Sequence, residues 1–245
     1  MSMRRPGRGP DLPYRVLAGV VPCRAGWLAA TAKLQGVTMA PEDPQVFRTF
    51  VDVLDYKPAY QVIALFAPIG LLDGAVPKGR GCEQDARKLL GRPRSSAVAS
   101  APARPALSCA SYADAAIANG GPLSVVTWRQ VRRIAEVDAA IAPYWQRTVY
   151  EVHPEVSFFQ LNDDRAVRYP KRTRPGMEER RRLLSSRVPG VERILDARIE
   201  HVAPAQLIDA SACLWTARRI LARAISRLPE DPEWDALGLR MEIVR

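Results

Sequence analysis

Histidine is almost missing from this chain: His153 and His201 are the only two in 245 residues. Cysteine is nearly as scarce, at positions 23, 82, 109 and 213, with no CxxC pair. Zinc centres need clustered cysteine and histidine, so such a centre is excluded as the basis of function. Four scattered cysteines in so long a chain do not make a disulfide framework. No histidine lies near any of them in sequence, so they read as small buried apolar residues rather than nucleophiles. No apolar run approaches the ~18 residues of a membrane span. Arg4, Arg5 and Arg8 are interspersed with prolines and followed by no uninterrupted apolar stretch, unlike a secretory signal. The expected compartment is the cytoplasm, with no membrane partner. Lysine is rare too, at 5 residues against 31 arginines.

What is present is a globular composition, 47% hydrophobic and 25% charged. The net charge of +10 is concentrated in two places. Residues 165–187 hold nine basic side chains against Glu178 and Glu179, and residues 1–15 hold four arginines against Asp11. The rest of the chain is neutral. Local basicity suits a phosphate-facing segment, and equally a solvated basic loop.

Residues 1–13 read as a disordered basic tail. Strands are expected over 14–21, 27–34 and 37–40, joined by tight turns into an antiparallel meander. Pro44 opens an expected helix over 44–56, with Val46, Phe47, Phe50 and Leu54 on one face. The apolar run 61–66 suggests a buried central strand. Helices are expected over 83–90, stopping at Gly91, and over 109–119 and 124–141, with a long loop at 92–108. A strand at 148–152 precedes a short helix opened by Pro154, and another helix covers 176–187. A long final helix is expected over 204–228, with Arg219 and Arg223 on its solvated side. The alternation of Leu239, Met241 and Ile243 suggests an edge strand. All five tryptophans read as core. The fold class is α/β: a mixed sheet with flanking helices, a single domain over 14–245 with a helical insertion at about 72–145.

The densest polar cluster is Glu151-Val152-His153-Pro154-Glu155. Carboxylates at a strand end facing a cleft suit Mg²⁺ or Mn²⁺, which prefer oxygen ligands. Alternatively, Glu155 offsets the helix dipole and His153 caps the turn. Asp209 lies among apolar residues on the last helix, so it needs a partner: a metal, an arginine or a backbone donor. Arg94, Ser95 and Ser96 after Gly91 could bind an anion, as could Lys171, Arg172 and Thr173.

The chain resembles a bacterial and archaeal family, domain of unknown function 429, described as predicted nucleases of RNase H-like fold. The resemblance runs from about residue 15 to the last residues. It rests on Ala18-Gly19-Val20 with Cys23-Arg24 and Gly26-Trp27, Pro68-Ile69-Gly70-Leu71, Cys82 to Arg87, Ser95-Ser96 and Glu136-Val137-Asp138. The block Glu151 to Phe158, then Asp209-Ala210, Trp215-Thr216-Ala217 and Gly238 to Ile243, completes it. The family pattern implies an aspartate where Val21 stands and another where Phe66 stands. It also implies an acid before Asp209, where Ala205 and Gln206 stand instead. Two-metal phosphodiester cleavage needs several carboxylates to balance two divalent ions.

The resemblance therefore implies a nuclease-like protein with a degenerate metal site that keeps phosphate or nucleic-acid binding. One alternative is an active Mg²⁺- or Mn²⁺-dependent phosphodiesterase using Glu151, Glu155 and Asp209. Another is a protein-interaction module with a basic face.

Overall fold

The computed structural model describes residues 13–74 and 78–245; most of the tail expected over 1–13 lies outside them. Strands β1 (Arg15–Cys23) and β2 (Gly26–Gln35) pair antiparallel along their full length, and β2 continues to β3 (Thr38–Pro41). Strands β5 (Val62–Leu65) and β6 (Val149–Glu151) then add in parallel on the other side of β1. The order β3-β2-β1-β5-β6 is the mixed sheet expected, and it is compatible with an RNase H-like α/β fold.

Period-two alternation gives the sheet two apolar faces. Val16, Ala18, Val20, Ile63 and Leu65 face one side, where they cluster with α1 (Phe50–Leu54) and α5 (Val131–Ala140). Leu17, Val21, Val62 and Ala64 face the other, against α6 (Pro154–Leu161), α7 (Arg174–Arg187), α8 (Glu192–Leu195) and α9 (Pro204–Leu221). Gly19 permits the closest contact. A Cβ there would stand 2.1 Å from the Ala210 carbonyl oxygen and 2.2 Å from Leu214 N, so any side chain would push α9 off the sheet.

The crossover from β5 to β6 carries α2 (Gly81–Leu90), α3 (Tyr112–Ala118), α4 (Val125–Trp128) and α5. The acids of Glu136-Val137-Asp138 anchor it. Glu136 accepts from Trp27 Nε1 at 2.7 Å and Phe50 N at 3.2 Å, and Asp138 pairs with Arg104 at 3.2 Å. Among the described residues, no helix is long and apolar enough to cross a membrane.

Several expectations need correction. Residues 44–56 are not one helix. Gln45–Phe47 form strand β4 against Trp27–Ala29, and Thr49 starts α1 later. Thr49 Oγ1 accepts from Asp52 N and Asp52 Oδ2 accepts from Thr49 N, a reciprocal cap that fixes the start. The single helix expected at 124–141 is α4 and α5, separated at Arg129–Gln130. The loop 92–108 contains two short 3-10 turns, Arg94–Ala97 and Arg104–Ser108. The last helix stops at Leu221, and Arg223 adopts a left-handed φ of 57°. Arg227–Trp234 form β7, paired with β8 (Arg240–Val244) in a separate two-stranded sheet. Leu228 is thus a strand residue, and Trp234 is 62% exposed rather than core.

Candidate functional site

Three parallel strands end together. Phe66 N donates to the Val20 carbonyl and Val152 N to the Leu65 carbonyl, so Val21, Phe66 and Glu151 come to one edge. Carboxyl ends of parallel strands are where α/β sheets gather functional side chains. Here Val21 is buried in the core, and Phe66 packs edge-on against the His153 ring at 5.0 Å. Both positions are apolar floor.

Pro154 at the first helical position opens α6, and His153 is its cap, with Nδ1 accepting from Glu155 N at 3.2 Å. Burial pushes the imidazole pKa down to about 3; the Lys171 charge adds to this and a backbone hydrogen bond with Ala97 opposes it. His153 is therefore a neutral, structural ring at physiological pH. That hydrogen bond also puts the Arg94–Ala97 turn against His153.

Each nominated carboxylate meets a cation. Glu151 takes a two-pronged bond from Arg80, 2.6 Å to Oε1 and 2.9 Å to Oε2, and Ile69 N adds a third at 2.7 Å. Arg80 spends its remaining donors on Glu83 and on the carbonyls of Ile69 and Gly70. Burial raises the Glu151 pKa against the pull of Arg80. Glu155 is bridged by Arg180, with contacts of 2.8 and 2.9 Å, and both side chains are at most 3% exposed. Arg180 also donates to the carbonyls of Tyr169 and Gly176. Asp209 Oδ2 accepts from Lys171 Nζ at 2.7 Å, while Oδ1 is buried with no donor. Burial raises the Asp209 pKa, and Lys171 opposes the rise. The Glu155–Arg180 and Asp209–Lys171 pairs are neighbours, since Asp209 also feels the charges of Glu155 and Arg180. Glu151 turns instead into the Arg80–Glu83 cluster. Among the described residues, no group of three His, Cys, Asp or Glu is arranged to hold a metal ion.

The phosphate candidates divide. Lys171 is committed to Asp209, and Thr173 caps α7 by accepting from Gly176 N at 3.2 Å. Ser96 Oγ donates to the Pro93 carbonyl. Arg94 is half-buried, with its Nε unpartnered. Arg172 is exposed and has no salt bridge among the described residues; the same holds for Arg165, Arg168 and Arg182. Arg168 lies 5.3 Å from the centre of the half-exposed Tyr169 ring. Sequence reasoning missed Arg80 as a functional partner and counted Arg180 only as part of the basic segment. The one local hint at Arg80 was its place three residues before Glu83, where Arg80 N donates to Glu83 Oε2 at 3.1 Å.

A family model described as protein of unknown function (DUF429) matches residues 16–234. No curated protein and no solved structure matches the chain.

Proposed function

We propose that this chain, which belongs to the DUF429 family of proteins of unknown function, binds nucleic-acid phosphates beside the carboxyl ends of its parallel strands without metal-dependent cleavage. The observation that carries this reading is the pairing of every nominated carboxylate with a basic side chain, above all Lys171 Nζ at 2.7 Å from Asp209 Oδ2. A buried acid already neutralised by a lysine or a two-pronged arginine does not fit a divalent cation. Val21 and Phe66 supply no further oxygen. The same residues support reading the metal site as degenerate.

What supports anion binding is the surplus of cations in the basic segment whose Lys171 reaches the cleft acid Asp209. Arg165, Arg168, Arg172 and Arg182 are exposed and unpaired among the described residues, Tyr169 offers a ring for stacking, and Arg94 Nε lacks an acceptor. Basic side chains interleaved with an aromatic one suit a nucleic-acid strand. Fluorescence anisotropy of a labelled duplex and a labelled single strand, across a salt series, tests this. Each phosphate contact steepens the log–log salt slope by about 0.7–0.9, so a slope of magnitude about 3 is expected. An affinity that is flat with salt overturns the reading and favours an acidic protein partner for the same face.

A second reading has one observation in its favour. Asp209 Oδ1 is buried with no donor, as an oxygen awaiting Mg²⁺ or Mn²⁺ would be. In that case Glu151, Glu155 and Asp209 would serve a phosphodiesterase, at the cost of breaking three ion pairs.

A further inference from the structure

The far end of α9 carries charges that the cleft does not use. Asp209 and Arg219 are ten residues apart on one helix, about 15 Å at the helical rise. After Arg219 the chain folds back at once: Ala224 N donates to the Arg219 carbonyl at 3.0 Å. Two residues later Ser226 exchanges both backbone bonds with Arg245, at 2.8 and 3.0 Å. The chain segments that carry Arg219 and Arg245 are thereby brought together, close enough for the Arg245 charge to act on Arg219. α6 reaches the same place, because Ser157 Oγ meets Thr216 Oγ1 at 2.8 Å, and Gln160 lies one turn beyond Ser157 as Arg219 lies one turn beyond Thr216.

Three polar atoms there are buried without a hydrogen-bond partner: Arg219 Nε, Arg245 Nε and Gln160 Oε1. Among the described residues the one carboxylate paired with either arginine is Asp164, 67% exposed, at 3.1 Å from Arg245 Nη1. Arg219 stacks its guanidinium on Trp215, 5.0 Å from the ring centre. Stacking fixes the plane and leaves the in-plane N–H fork unused. A cation in the last turn offsets the helix dipole, and Arg218 and Arg219 both sit there. The dipole does not account for a second guanidinium brought to the first. Consistent with this crowding, burial and then the Arg245 charge hold the Arg219 pKa below its ordinary value, with Asp164 opposing.

We propose that Arg219 and Arg245, with the Gln160 carboxamide beside them, form an anion subsite that takes a phosphate monoester, separate from the cleft at the parallel-strand ends. A dianionic tetrahedral oxyanion presents enough acceptors for both Nε–H groups and their Nη neighbours, and it relieves the repulsion between them. The Gln160 amide can rotate to present Nε2 as a further donor. Trp215 forms the fixed wall of the subsite.

The test is calorimetric titration of the full chain with inorganic phosphate, and separately with a nucleoside 5′-monophosphate, at low salt. Saturable binding is expected, at about 1 mM or tighter. Arg219→Gln and Arg245→Gln should each weaken it at least about tenfold, because each removes a charge-assisted donor. Arg219→Lys keeps the charge and loses the fork, so it should also weaken binding. This variant keeps the test decisive if Arg219→Gln fails to fold by circular dichroism. Arg174→Gln, an exposed change far along the basic segment, should leave the affinity as it was. Tighter binding of the monophosphate would identify a phosphate carried on an organic group, and equal affinities would identify the free ion; both support the subsite. No saturable heat in the wild type overturns the proposal, and so does an affinity unchanged by Arg219→Gln and Arg219→Lys. Nucleic acid is absent from this assay, so its failure is distinct from a failure of duplex binding at the cleft.

Discussion

The two ends of α9 solve the problem of buried charge in opposite ways. Near its start, acid and base are matched: Asp209 with Lys171, and beside them Glu155 with Arg180, at 2.7 and 2.8 Å. Near its end, Arg245 pairs with one exposed aspartate, Arg219 has no carboxylate partner among the described residues, and both keep unpartnered Nε atoms. A matched site is closed to further ions of either sign, whereas an unmatched one has a place for an anion. The difference separates charges that hold the fold from charges left over for binding. Net charge alone hides it, since Arg180 and Arg182 count equally in the sequence and only one is exposed.

The contrast breaks first if a matched pair proves dispensable. Arg180→Met leaves Glu155 buried and unpaired, which should cost about 3–5 kcal/mol in urea denaturation. Adding Glu155→Leu should restore most of that loss, because an apolar pair of similar volume replaces the ions. By comparison, Arg174→Ala, whose partner Glu178 is exposed, should give no resolvable change.

A pH series sharpens the picture of the matched end. His153 titrates near 3 in the fold and near 6.5 when unfolded, so the unfolded chain binds more protons between those values. Stability from this ring is complete above about pH 6.5 and is lost as pH falls toward 3, which amounts to ~3 kcal/mol between pH 7 and 4.5. Asp209 runs the other way, since its raised pKa favours the protonated fold. His153→Asn keeps a cap acceptor for Glu155 N and removes the titration, so its denaturation midpoint should lose most of this pH dependence. An unchanged dependence would show that the ring is not the titrating group.

At the unmatched surface the effects are smaller. Arg168→Ala and Arg172→Ala should each lower the magnitude of the duplex salt slope by about 1, with similar losses across sequences. Smallest of all, Arg219→Gln should leave stability within about 0.5 kcal/mol, because it removes a charge that repels its neighbour rather than one that is paired.

Much of the architecture was legible in local patterns. The meander of β1 to β3, the parallel β5 and the cap of α2 at Gly91 follow from short apolar runs and from turn residues at their ends. Residues 44–56 misled because Val46, Phe47, Phe50 and Leu54 satisfy a helical spacing, while Val46 and Phe47 are claimed by β2. The end of α9 misled because leucine and alanine keep their spacing past Leu221, while Arg223 turns left-handed and the chain pairs with β8. At the site, the sequence singled out Glu151, Glu155 and Asp209, and indeed these acids are buried. Their partners were not legible, for a physical reason: Arg80, Arg180 and Lys171 lie 71, 25 and 38 residues away from the acids they neutralise. Pairing over such distances is set by tertiary packing, which no local spacing records. Val21 and Phe66 were informative because an apolar residue at a strand end closes off a charge site without needing a partner.

Everything in the cleft turns on the commitment of its carboxylates to ion pairs. Calorimetric titration of Mn²⁺ into the metal-free chain tests it most directly, with Asp209→Asn alongside. No saturable binding is expected up to about 1 mM, in wild type and variant alike. Saturable micromolar binding in the wild type that disappears in Asp209→Asn would contradict it, and would bring the phosphodiesterase reading to the front.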